Sequence, residues 1–251
     1  MASFFGEVLP VISRAVEDEE SDDEFINPEF IWKPSDDSGS KQFSPNWLVM
    51  AVGAVPAGFL QCHMELTNSL GNIVEINDSK EKTIIGFYSS TCGKVIYCIS
   101  STYILPDKLW CLVQKVFEVV HCGENTRVCL LDADTVYNYH THSIAKLSLP
   151  FLRHLKTSKH PDVPDIDALS QPNMAKGLTA AVMSYCQLNK IAAALYICYT
   201  ETVLPDAATL LAFSKLTGEE PFKTSKVPKE ESLSRIKLYL QSPANNQTLY
   251  I

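Results

Sequence analysis

Ile191-Ala-Ala-Ala-Leu-Tyr-Ile-Cys198 carries no charge and no turn residue, and it is too short for a helix of ordinary length. Such a run reads as a strand covered on both faces. A helix pattern, Gly177 to Leu188, leads into it and a second, Pro205 to Leu216, follows it. Two more runs of the same kind lie upstream, Arg127 to Asp132 and Trp47 to Val55. Between them Pro106-Asp107 opens a helix to about His121, with Leu109, Leu112, Val113, Val116, Phe117 and Val120 on one face at helical spacing. Strands apolar on both sides, alternating with amphipathic helices, place the chain in the α/β class. The expectation is a single domain with a mostly parallel central sheet and helices on both faces.

The remaining segments are fitted around that frame. A helix is expected from the Gly53–Gly58 turn to about Leu70, and Thr83–Ser89 and Lys94–Tyr103 form a hairpin across Thr91-Cys92-Gly93. Thr135 to Asn173 reads as irregular, and Glu230 to Gln241 as a last amphipathic helix carrying Leu233, Ile236, Leu238 and Leu240 towards the tail. No internal repeat is visible. The domain is therefore set at 45–241, behind an acidic and largely disordered arm at 1–44 and ahead of a flexible tail at 242–251.

Charge supports that division. The net charge of the 251 residues is -8, but residues 1–40 hold 11 acidic and 2 basic residues, against 18 acidic and 19 basic in the rest. The body is close to neutral and offers no basic stripe for a phosphate backbone, so nucleic acid is not an expected partner. No apolar run approaches the roughly 18 residues of a membrane span, and the N-terminus lacks the pattern of a signal peptide. Most of the eight cysteines sit in apolar runs, where a free thiol behaves as a small hydrophobe. A soluble protein of a reducing compartment is expected.

Several motifs come close to catalysis without completing it. Gly53-x4-Gly58 sits where a phosphate loop would, but Phe59-Leu60 stand where Lys and Ser/Thr are needed, and Val55 breaks the dinucleotide pattern. A tight turn accounts for it. His140-Thr-His142 lacks a third metal ligand at any standard spacing, and the cysteine spacings form no zinc knuckle. Asp132-Ala-Asp134 ends a strand where α/β enzymes place carboxylates, yet capping and turn formation explain it with less. Cys62-His63 and His121-Cys122 are sequence neighbours, which rarely face each other. No cofactor, metal or catalytic residue is assigned.

The end of the chain is the other unusual feature. Leu249-Tyr250-Ile251 closes a polar segment, Ser242 to Thr248, in which Pro243 breaks any entering helix. Large apolar side chains on such a tail fit a pocket supplied by another molecule, with a lysine there to meet the carboxylate.

Phe4-Phe5-Gly6-Glu7-Val8 before an acidic run, Pro150-Phe151-Leu152-Arg153-His154-Leu155-Lys156-Thr157, the block Gln171-Pro172-Asn173 to Leu195-Tyr196-x-Cys198-Tyr199-Thr200, and the terminal apolar-Tyr-X together resemble the proteasome assembly chaperone 1 family. The resemblance implies a non-catalytic protein with a phosphorylase-like α/β fold that has no active site. It implies a heterodimer with a second chaperone subunit that promotes assembly of the 20S core α ring, its tail entering pockets between α subunits. It further implies a cytoplasmic protein with some endoplasmic reticulum association. Leu249, Tyr250 and Ile251 are the expected partner-binding residues. Phe151 and Arg153 join them, with Pro150–Thr157 read either as an interface or as an amphipathic helix covering the sheet. The alternative function is an α/β hydrolase- or phosphorylase-like enzyme using the Gly53–Gly58 region and Asp132.

Overall fold

The computed structural model describes residues 29–35, 42–66, 68–77, 80–100, 102–141, 147–161 and 165–242. In chain order the strands are β1 Glu29–Pro34, β2 Trp47–Val52, β3 Asn68–Asn77, β4 Lys80–Ser89, β5 Val95–Ser100, β6 Arg127–Thr135, β7 Phe151–Lys156 and β8 Ala192–Thr200. The helices are α1 Ala54–His63, α2 Leu109–Val119, α3 Gly177–Leu188, α4 Ala207–Ala212 and α5 Lys229–Gln241. The strands form one sheet in the order β1-β3-β4-β5-β2-β6-β8-β7.

The four central strands, β5-β2-β6-β8, are parallel, and these are the apolar runs from which the α/β class was read. The flanks are antiparallel: β1, β3, β4 and β5 on one side and β7 on the other, so the sheet is mixed. Residues along each central strand alternate between two cores, as a two-residue period requires. Leu48, Met50, Ile96, Cys98, Leu130, Leu195 and Ile197 meet α2 and α3 on one face. Val49, Ala51, Tyr97, Cys129, Leu131, Ala194 and Tyr196 meet α1 and the Phe213–Phe222 segment on the other. The outer layer of that second face is closed by α5, whose Ile236 packs with Cys62 of α1 and Leu210 of α4. In α2, Leu112, Val113, Val116 and Phe117 are buried as the periodicity requires, and so is Val120 just beyond its end.

Three expectations need correction. The sheet begins at Glu29, sixteen residues before Pro45, because Phe30 is buried and Trp32 packs edge-on against Phe43 and Phe87. Its short alternation was hidden among Pro28, Pro34 and the acidic residues. Helix α1 stops at His63 instead of Leu70, since the following backbone is taken by the 225–227 segment: Glu65 N donates to Ser225 O, and Met64 bridges Lys226. The stretch from Asn68 then becomes β3. Phe151–Lys156, placed in an irregular span, is an edge strand, its backbone held by β8. In α5 the buried stripe runs through Ser232 and Ile236, with Tyr239 and Leu240 packed beside it, whereas Leu233 and Leu238 face outward.

Gly58 shows what the second glycine of Gly53-x4-Gly58 does. A Cβ there would lie 2.7 Å from Leu210 Cδ2 and 2.8 Å from Tyr239 Cε1, so the glycine lets α4 and α5 close onto α1. Helix propensity alone favours alanine by about 1 kcal/mol. We expect Gly58→Ala to be destabilising by roughly 1–3 kcal/mol in urea unfolding, because the overpacked contact outweighs propensity. A neutral or stabilised variant would show that the three helices have slack.

Candidate functional site

Leu249, Tyr250 and Ile251 lie outside the described residues. What is described is where the tail leaves the domain. Tyr239, in the last turn of α5, donates from its hydroxyl to Ala54 O at 3.3 Å, beside the first turn of α1. Because α1 follows directly on β2, Ser242 emerges at the end of the sheet where the parallel strands finish.

That same end carries a set of apolar side chains on loops. Tyr103, Leu105, Tyr137, Met174 and Val203 are all exposed, Tyr103 and Tyr137 by about 80%. They follow β5, β6 and β8 or precede α3, so the fold gathers them on one rim. Sequence reading missed them, since each stands alone in an irregular segment and only topology brings them together. Monomeric surfaces seldom carry such a cluster without a partner.

A groove of about 590 Å³ opens on this rim, with Asp132, Asp134, Lys176 and Tyr103 among its walls. It is where the enzymatic alternative would have to operate. Asp132 is half-buried in the groove wall, and desolvation raises its carboxyl from 3.8 to about 6 against the opposing hydrogen bonds from Thr179 and Ala133. Both of its oxygens are engaged: Oδ1 accepts from Ala133 N at 2.8 Å, and Oδ2 from Thr179 Oγ1 at 2.5 Å. Asp134 accepts from Thr135 N and Asn138 Nδ2 and faces Lys176 Nζ at 3.7 Å. The aspartates thus tie β6 to the first turn of α3 and shape the turn after it.

The other candidate groups are similarly occupied. Burial pushes the Cys62 thiol up to about 11 and the Cys122 thiol to about 12. His63 bonds through Nδ1 to Phe59 O, in its own helix. His140 is exposed, while His142 lies outside the described residues. Among the described residues no His, Cys, Asp and Glu group is arranged to hold a metal ion, and no helix is long and apolar enough to cross a membrane.

Phe151 and Arg153 come together on β7, but turned toward their own domain. Phe151 stacks on Tyr199 with centroids 5.3 Å apart and meets Tyr139 edge-on at 5.2 Å. The Arg153 guanidinium lies 4.7 Å from the Phe151 ring centre. It donates to Tyr139 Oη and Leu152 O and pairs with the exposed Asp167 at 3.1 Å. The backbone of His154 is covered from outside by Asp167 and Leu169. What β7 offers a partner is the 37%-exposed Leu155 and the remainder of its outer edge.

A mixed sheet of this order, helices on both faces and an apolar rim where the parallel strands end define an α/β protein of the proteasome-assembly-chaperone fold. The Pyrococcus furiosus protein PbaA, described as an archaeal homolog of proteasome-assembly chaperone, superimposes with a TM-score of 0.55 over 88% of this chain and 98% of its own, at 10% identity. The Pyrococcus furiosus protein PbaB, described as an archaeal proteasome activator, does so at 0.52 and 12% identity over 89% and 97%. At those identities the likeness concerns the fold alone. Sequence carries the relationship further. A family model described as proteasome assembly chaperone 4, with the short label PAC1, matches residues 27–251. Proteasome assembly chaperone 1 of Xenopus tropicalis is 30% identical over 86% of this chain and 88% of its own, and that of Danio rerio 29% over 85% and 88%. The chain belongs to the proteasome assembly chaperone 1 family.

Asp132 gives a test of the site's electrostatics. A carboxyl raised above its unfolded value keeps its proton longer in the folded state, so stability declines as pH rises from about 4 through 6 and stays lower above that. Asp132→Asn removes the charge and keeps one acceptor oxygen for Thr179 at the expense of the Ala133 N contact, a loss smaller than the cost of the half-buried charge. At pH 7.5 it should be as stable as the parent or more so, by roughly 1–3 kcal/mol, and its stability should vary less between pH 4 and 6. Urea unfolding across that range checks this, and strong destabilisation of Asp132→Asn at pH 7.5 would contradict it.

Proposed function

We propose that this protein is a proteasome assembly chaperone subunit that works by binding alone. In this reading it pairs with a second, related chaperone subunit, and the pair promotes assembly of the 20S core α ring. Leu249 and Tyr250 insert between neighbouring α subunits, and the Ile251 carboxylate meets a lysine there. The observation that carries the proposal is the family match, which runs from residue 27 to 251 and so includes the terminal apolar-Tyr-X. The apolar rim of Tyr103, Leu105, Tyr137, Met174 and Val203 supports a protein partner, and the near-neutral body suits one as well. We place the protein in the cytoplasm, with some endoplasmic reticulum association. The acidic segment ahead of Glu29 is proposed as an arm outside the folded domain.

Phe151 and Arg153 have a narrower role in this proposal than a direct contact. By fixing the start of β7 against Tyr139 and Tyr199 they present Leu155 and the strand's outer edge to the partner.

The energetics of the tail suit a transient factor. Burying a leucine and a tyrosine contributes roughly 2–4 kcal/mol before ordering, and the charge-assisted contact about 1–3 kcal/mol more. One tail alone holds weakly. Two tails on a heterodimer gain through effective concentration, and release stays possible when the assembly matures.

Affinity purification of the tagged chain from its own cells should recover a second chaperone subunit together with free α subunits. Adding one residue after Ile251 should reduce α-subunit recovery about tenfold, the loss of one charge-assisted contact, and leave the chaperone pair intact. Undiminished α-subunit recovery by the extended chain would rule out the tail mechanism.

A further inference from the structure

Where α1 ends and α5 begins, α1, α4 and α5 leave a cleft of about 420 Å³ between them that the proposed function does not use. Helix α5 runs antiparallel to α1: Tyr239 bonds to Ala54 O, Arg235 Nη1 donates to Met64 O at 3.1 Å, and Val227 N donates to His63 O at 2.9 Å. The cleft therefore lies at the other end of α5 from Ser242, where the tail leaves. His63 forms part of its wall and is 6% exposed. Burial lowers the pKa of the ring, and Nδ1 sits 3.1 Å from Phe59 O. A carbonyl only accepts, so Nδ1 carries the proton and Nε2 of the neutral ring is an acceptor. That Nε2 is buried and has no hydrogen-bond partner. Buried acceptors are ordinarily satisfied by protein or by a bound molecule.

The rest of the wall is apolar and positively charged. Leu211 of α4 and Leu233 of α5 line the cleft, and both are exposed. Lys226 and Lys229 line it as well, and among the described residues no carboxylate does. Glu230 and Glu231 follow in the first turn of α5 but are not part of the wall, and Glu231 is bonded to Arg235 at 2.6 Å. Such a cleft selects a hydroxyl donor, an apolar side chain and a carboxylate held close together. The chain carries that set in Tyr250, Leu249 and the carboxylate of Ile251. It also has the length to deliver it. From Ser242 back to Leu233 and Lys229 is about 15–20 Å along the helix, and the residues from Pro243 to Tyr250 reach roughly 26 Å when extended.

We propose that Leu249-Tyr250-Ile251 docks in this cleft of its own chain while no partner holds it. Tyr250 enters and donates to His63 Nε2, Leu249 covers Leu211 and Leu233, and the Ile251 carboxylate meets Lys226 and Lys229. The tether supplies these residues at an effective concentration of about a millimolar or more, ahead of any tail from another molecule. Docked in this way, the tail is hidden, and a partner takes it up only by displacing it. The contacts are few and the lysines are exposed, so the hold is weak enough to be displaced. The inference rests on the proposed function in taking Ile251 as the chain end, and docking itself needs no α subunit.

The test is fluorescence anisotropy of a peptide of residues 243–251, labelled at its N-terminus, titrated with the chain lacking residues 249–251 and with the full chain. The shortened chain should bind it with half-saturation below about 1 mM. The full chain, whose own end competes, should bind it roughly threefold more weakly or worse. Amidating the peptide's carboxylate, or replacing its Tyr250 by Phe, should each weaken binding to the shortened chain roughly 3- to 10-fold. Lys226→Gln together with Lys229→Gln should do the same, and the two peptide changes keep the test decisive if that variant fails to fold. No binding to the shortened chain below about 1 mM, equal binding by the full chain, or indifference to both peptide changes overturns the proposal. None of these readings involves an α subunit, so they stand apart from the outcome of the affinity purification.

Discussion

Ala192–Thr200 is buried at every one of its nine residues and hydrogen-bonded on both edges, to β6 and to β7. A strand in that position cannot exist without cover on each face, and the rest of the architecture supplies it. One side needs α3, which delivers the chain into β8, together with α2; the other needs α4 and the Phe213–Phe222 turns. Parallel pairing to β6 requires a crossover, and α3 with its preceding loops provides it. The crossovers place loops after β5, β6 and β8 at one end of the sheet, and that end becomes the apolar rim. The apolar rim is thus a consequence of how a two-sided core is closed.

The same constraint explains why the groups that look reactive are otherwise engaged. The candidate reactive groups beside the parallel strands are buried or hydrogen-bonded. Asp132 is bonded to Thr179 and Ala133, and the buried thiols are shifted away from reactivity by desolvation. The exposed features at the end of the parallel strands are instead large apolar side chains, a kind of cluster that monomeric surfaces seldom carry. In the proposed function, weak, multiple and reversible contacts would suit a factor that leaves what it helps to build.

The central strands and the helices α2 and α3 were legible in the sequence because their signals are long and periodic. Ile191–Cys198 and the face from Leu112 to Val120 left no second interpretation. The antiparallel flanks were not. β1 has only Phe30 and Trp32 as apolar marks, β3 follows a helix whose end is set by the distant Ser225 and Lys226, and β7 mixes Phe151 and Leu152 with Arg153 and Lys156. Each is a strand because a neighbour makes it one. The site divides in the same way. The terminal Leu249-Tyr250-Ile251 was visible as a motif, whereas the rim of Tyr103, Tyr137 and Met174 exists only after folding. Phe151 and Arg153 stand out in the sequence because apolar and basic residues alternate there, and folding sets Arg153 against Tyr139, Phe151 and Asp167.

In the proposed function the body is a scaffold, and contact is made at its surface and its chain end. Reconstituted α-ring assembly, comparing a chain lacking residues 249–251 with full-length Asp132→Asn, bears on that directly. The account predicts that ring formation falls sharply without the last three residues and proceeds normally with Asp132→Asn. Normal assembly by the shortened chain, or failure with Asp132→Asn in a folded protein, would contradict it.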